Sequence, residues 1–249
     1  MHLCLTKNKF KGVANDSKKI KEYKFTCSLL IFISWWIIMY SIGSIWSCIS
    51  SDYSSYMMGY YISAIIVTYI IYVIFIPITF NINVKLYFNK VGLKLNNEVL
   101  ILSIFLVLSM IIGFSLRSPI ALSKDHKAWL YLLQPPMVEE LLFRGIIPYL
   151  LYSKYKNKIF AFIISSILFS GIHILLGINA IIYALLLGSI LLMIRIQCTS
   201  IIPPMIIHYI INSHGTYAWV LCSGVLIIYE IYYIKNKCKT PKLLDSFIS

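Results

Sequence analysis

Eight apolar runs, each separated from the next by a polar connection, dominate this chain. They lie at about 26–49, 57–80, 98–116, 128–152, 159–176, 178–195, 201–214 and 216–234. A helix needs about 20 predominantly apolar residues to cross a hydrocarbon core about 30 Å thick. Most of the runs approach that length. The 201–214 run is too short to cross alone, so it is expected to tilt or to extend into its neighbour. The expected fold is all-α: a polytopic membrane bundle of about eight transmembrane helices. The composition agrees, with 59% hydrophobic and 12% charged residues, against about 45–50% and 25% in a soluble domain.

In a soluble protein, a net charge of +13 would point to a nucleic-acid partner. Here the cations lie between the apolar runs, and topology explains them without nucleic acid. If the N-terminus is cytoplasmic, eight crossings place segments 1–25, 81–97, 153–158, 195–200 and 235–249 on the cytoplasmic side, where they hold 18 of the 22 Lys and Arg residues. The opposite loops hold Arg117, Lys124 and Lys127, and Arg144 lies in a helix. This is the asymmetry of the positive-inside rule. The expected location is therefore the cell membrane, multi-pass, with both termini cytoplasmic. The lysine-rich start followed by an apolar run resembles a signal peptide. The run is nevertheless longer than a typical h-region and lacks a small-x-small cleavage site, so it reads as a retained first span.

The chain divides into a basic cytoplasmic tail (1–25), two spans with a basic loop (26–97), a membrane core (98–235) and a second basic tail (236–249). Trp35 and Trp36 fall in mid-span and are expected to pack. The six cysteines follow no C-x-x-C spacing, and neither a zinc knuckle nor a disulfide framework is indicated.

Against this background the run Pro136-Met-Val-Glu-Glu-Leu-Leu-Phe-Arg-Gly145 is anomalous. A carboxylate at membrane depth is costly, and one that is retained marks function or a protein-lined interior. Only nine acidic residues occur in the chain, and two of them, Glu139 and Glu140, are adjacent here. Helical geometry separates them. Glu140 shares a face with Arg144 at i+4, whereas Glu139, turned about 100° away, finds Leu142 and Phe143 at i+3 and i+4. Glu139 therefore needs a partner from another helix. Two later runs offer one: Phe169-Ser-Gly-Ile-His173, and His208-Tyr-Ile-Ile-Asn212. Pro135-Pro136 and Pro203-Pro204 are expected to break or start helices just ahead of the glutamates and of His208.

Two neutral imidazoles and one carboxylate, His173, His208 and Glu139, make up a ligand set known from catalytic zinc sites, with a fourth position for water. With Zn2+ or by direct hydrogen bonding, such a group activates water at neutral pH. Asn212 carries an amide that can stabilise an oxyanion. The implied reaction is hydrolysis of an acyl bond, most plausibly a peptide. Each residue also has a plainer reading: an interhelical hydrogen bond for either His, a structural ion pair for Glu140–Arg144, helix–helix adhesion for Asn212. A proton or ion relay competes for the whole set.

The sequence Glu-Glu-Leu-Leu-Phe-Arg-Gly, followed by Phe-x-x-x-His and His-x-x-x-Asn in hydrophobic helices, resembles the CPBP intramembrane metalloproteases, the CAAX protease and bacteriocin-processing (Abi) family. The similarity extends over about residues 95–235. It implies a bundle enclosing a catalytic cavity, in which Glu139 activates water, His173 and His208 assist or hold a metal, and Asn212 polarises the scissile carbonyl. Glu140, Arg144 and Phe169 would support the site. The implied substrate is a membrane-tethered or secreted peptide or protein, cut during bacteriocin processing or degradation. A peptide-binding immunity or scaffold role without cleavage is the principal rival, and a small transporter the next.

Overall fold

The computed structural model describes residues 30–79, 83–116, 128–213 and 216–236. The tail 1–25, His2, Arg117, Lys124, His126, Lys127, His214 and most of the 236–249 tail lie outside the described residues. Every regular element described is helical: α1 (Leu30–Ile49), α2 (Tyr53–Tyr69), α3 (Ile76–Thr79), α4 (Val84–Val91), α5 (Asn97–Leu116), α6 (Ala128–Glu140), α7 (Ile147–Tyr155), α8 (Lys158–Gly171), α9 (Ile178–Cys198), α10 (Ile202–Asn212) and α11 (Thr216–Asn236).

Two π-helical turns weld neighbours into longer rods. Ile70–Phe75 joins α2 to α3, and Leu141–Ile146 joins α6 to α7. Counted as rods, the described chain has eight long elements plus the short α4, in the order the apolar runs predict. Five of the helices are long and apolar enough to cross a membrane, and α8 and α10 are shorter apolar helices. The protein is thus a helical membrane bundle.

Local chemistry sets most helix boundaries. Asp52, Asn83, Asn96 and Asn157 each accept a hydrogen bond from a backbone N–H three residues on, at 2.8–3.0 Å. These bonds satisfy donors that a helix start leaves open. Pro203 and Pro204 stand at the start of α10, where a missing N–H costs nothing, as expected. Pro135 and Pro136 do not break their helix: α6 runs from Ala128 through both to Glu140. Neighbouring helices in a membrane bundle can re-satisfy the carbonyls that prolines free.

Exposure separates lipid-facing from protein-facing stripes where hydrophobicity does not. On α1, Ile31, Trp35, Met39 and Ile42 are buried, while Leu30, Ile33, Ile37 and Tyr40 are exposed. The two tryptophans therefore part company. Trp35 packs edge-on against Phe143 at 6.2 Å, and Trp36 is 38% exposed, because consecutive helical residues project about 100° apart.

The interior has two apolar clusters. One gathers α1, α2, α4, the α6–α7 rod and α8; the other gathers α5, α9, α10 and α11. Helix α10 packs on α5, α6 and α9 and so lies along the seam between them.

Candidate active site

The candidate site is at this seam. Leu141 through Ile146, the π-helical turn that follows the glutamates, is buried at every position. Single π-turns inside α-helices recur at functional sites. Ser165 of α8 donates a hydrogen bond to the Phe143 carbonyl and so occupies an acceptor of this turn. Gly145 admits the end of α4: a Cβ there would lie 2.8 Å from the Val91 carbonyl oxygen.

Glu140 is fully buried and sits between two partners. Its Oε2 lies 3.1 Å from Arg144 Nε, and its Oε1 accepts from His208 Nδ1 at 2.8 Å. The Arg144 guanidinium, 1% exposed, lies over the Phe169 ring with Cζ 3.8 Å from the centroid. The Nε–Oε2 approach lacks hydrogen-bond geometry, and neither Arg144 Nη finds an acceptor among the described residues. The guanidinium is therefore held by charge and by the ring face. An uncompensated charge here would be very costly, so the acid, the base and the ring form one unit.

Both histidines are anchored through the same nitrogen. His173 Nδ1 donates to the Phe169 carbonyl at 3.0 Å, and His208 Nδ1 donates to Glu140. In the neutral tautomer these bonds select, Nε2 of each ring carries the lone pair. The Phe169 ring stands between the imidazoles, edge-on at 5.1 Å to His173 and 6.1 Å to His208. His173 is not inside α8. The helix stops at Gly171 and His173 follows in the turn, with its ring bonding back to a carbonyl of the last helical turn.

Gly188 of α9 forms the floor of the unit. A Cβ at this position would lie 2.8 Å from Phe169 Cδ1 and 3.4 Å from an Arg144 Nη.

Glu139 is half-buried. It lies within electrostatic range of His208, Glu140 and Arg144, and of Tyr60 on α2. His173 lies within range of His208 and Arg144. Asn212, half-buried, ends α10 one turn beyond His208.

The structure therefore brings most of the anticipated residues to one seam, with one reassignment. His208 does not make the direct bond to Glu139 for which its sequence position made it available. It bonds Glu140, because the buried carboxylate has one oxygen for Arg144 and a second for α10. Among the described residues, no three His, Cys, Asp or Glu side chains gather into a group that could hold a metal ion. Cys48, Cys198 and Cys222 are in no disulfide among the described residues. Glu230 accepts a hydrogen bond from Gln197 at 3.1 Å.

Sequence reasoning missed Ser165 and Gly188. Ser165 stands one turn before Phe169 on the same face of α8, so i,i+4 spacing could have found it. Gly188 lies on a helix without a motif, and no local signal marks it.

Residues 126–214 match the family model described as Type II CAAX prenyl endopeptidase Rce1-like. This segment contains all the residues of the cluster and is narrower than the region of about 95–235 expected from the motifs. No curated protein and no solved structure matches the chain.

Proposed function

We propose that this membrane protein, whose residues 126–214 match the Rce1-like family model, is an intramembrane endopeptidase of the CAAX type. Its substrate is a peptide or protein held at the membrane, and its termini lie on the cytoplasmic side. The observation that carries the reading is the 2.8 Å bond between His208 Nδ1 and Glu140. A buried carboxylate that orients an imidazole and leaves Nε2 available is the arrangement of a general base supported by a second residue.

The proposed chemistry draws on carboxylate, imidazole and amide groups of this chain. The Glu139 carboxylate removes a proton from water as the water oxygen bonds to the scissile carbonyl carbon. The carbonyl oxygen gains negative charge and accepts a hydrogen bond from the Asn212 amide. As the C–N bond breaks, the proton passes from Glu139, or through His208 Nε2, to the leaving nitrogen. His173 Nε2 holds the water or the substrate amide. Glu140 and Arg144 touch neither water nor substrate; they are positioning residues that fix the His208 ring.

Proteoliposomes carrying Glu139→Ala, His173→Ala or His208→Ala protein test this reading, once insertion of each variant is verified. Cleavage of a library of lipid-anchored peptides is followed by mass spectrometry. Loss of a general acid or base costs about 10²–10⁴-fold in rate, and a loss of that order is expected for Glu139→Ala and His208→Ala. Undiminished cleavage in all three would overturn the proposal. Protection of cells against a peptide toxin that survives in all three, with no cleavage by the parent, would favour a binding or immunity role.

A further inference from the structure

On the far side of α10 from the α6–α8 pair, α5 and α11 pack together and leave a groove of about 610 Å³ between them. It shares no residue with the candidate active site. Its walls are Ile101 and Phe105 of α5 and Val225, Ile228 and Tyr232 of α11, with Glu98 and Tyr229 at one end. Ile101, Phe105, Ile228 and Tyr232 are 48–69% exposed, so the groove faces the surroundings of the bundle. From Glu98 to Phe105 it follows α5 for about 10 Å, at 1.5 Å per residue.

The groove is apolar along its length and charged at one end only. The Tyr229 hydroxyl donates to Glu98 Oε1 at 3.1 Å and holds the carboxylate at the end of the groove, where it offers about four lone-pair sites. Lys235, on the last turn of α11, lies three residues past Tyr232 and so shares its face. Lys94 precedes α5 by one turn and is half-buried. The same end of the groove thus offers an anion at the wall and cations at the rim.

We propose that the α5–α11 groove is a binding site for one acyl chain of an aminophospholipid. The ammonium of the headgroup donates to Glu98, and the phosphate lies toward Lys235 and Lys94. Charge complementarity selects this occupant over others. A free fatty acid would bring its negative charge against Glu98, and an anionic phospholipid such as phosphatidylglycerol carries no ammonium to offer it. A choline headgroup carries the same charge as ethanolamine but has no N–H to donate.

The test is native mass spectrometry of the full-length protein with dioleoyl lipids whose headgroups run from ethanolamine through its mono- and dimethyl forms to choline, and with phosphatidylglycerol. Retention should fall with each methylation, to about tenfold weaker for choline, the range expected for loss of a hydrogen bond to a charged acceptor. Glu98→Gln should reduce ethanolamine-lipid retention to the choline level. Ile101→Trp should reduce retention of every lipid by filling the groove. Equal retention across the methylation series, or stronger retention of phosphatidylglycerol, would overturn the proposal whether or not the variants fold.

Discussion

Replacing Glu140 with glutamine keeps the shape of the side chain and removes its charge, which isolates what the buried unit contributes. Glu140 is fully buried and Arg144 is 1% exposed, so solvent screens neither. Removing one partner of such a pair costs about 3–5 kcal/mol, because the other charge stays buried. The Phe169 face, 3.8 Å from Cζ, still covers the stranded cation after the substitution, so Glu140→Gln is expected at the lower end of that range, about 3 kcal/mol. That corresponds to about a 150-fold shift in the unfolding equilibrium. Arg144→Met should cost a similar amount, since it strands the carboxylate. The double variant should recover part of the loss, because an apolar replacement of a whole buried pair is often neutral. Reversible unfolding in detergent micelles, run as a double-mutant cycle, measures the coupling. Additive losses in the double variant, or a Glu140→Gln protein as stable as the parent, would refute the argument that the two charges are held as a unit.

Four further outcomes follow from the geometry. Glu139 is half-buried and in no ion pair with Arg144 among the described residues, so Glu139→Gln should leave the unfolding midpoint nearly unchanged while abolishing cleavage; a large loss of stability would contradict its assignment as the catalytic base. Gly188→Ala should cost about 1–3 kcal/mol through overpacking against Phe169 and should lower activity without touching a motif residue; thermal unfolding and turnover of the same preparation check both. Gly145→Ala meets a backbone carbonyl, which yields less readily than a ring, and its destabilisation should equal or exceed that of Gly188→Ala in the same assay. Reporter fusions at the two ends of the chain should both read cytoplasmic, and opposite readings would remove the charge argument for eight crossings.

The site was partly legible in the sequence, for a definite reason. Glu140 and Arg144 are neighbours by helical spacing alone, and the pairing is found at 3.1 Å. The link between Phe169 and His173 is equally local, although it forms through a backbone carbonyl at the end of α8 and not along one helix face. The partner of His208 was not legible. Both glutamates lie 68 or 69 positions away in the chain, and which of them meets α10 depends on the rotation of α6 and the π-turn behind it. The same holds for Trp35 and Trp36, whose burial depends on which stripe of α1 meets Phe143. Pro135 and Pro136 misled because local propensity predicts a break that neighbouring helices override.

By itself the sequence determined that this is a helical membrane protein and which residues could carry chemistry, because apolar length, charge asymmetry and i,i+4 spacing are local properties that lipid enforces. It also marked Glu139 as the acid without a partner in its own helix. Only the tertiary structure decided that Glu140 holds both Arg144 and His208 and that Gly188 makes room for the Phe169 ring. When almost every face of a helix is apolar, the faces that meet are chosen by side-chain shape and by a few buried charges. Those contacts join residues far apart in the chain, where periodicity carries no information.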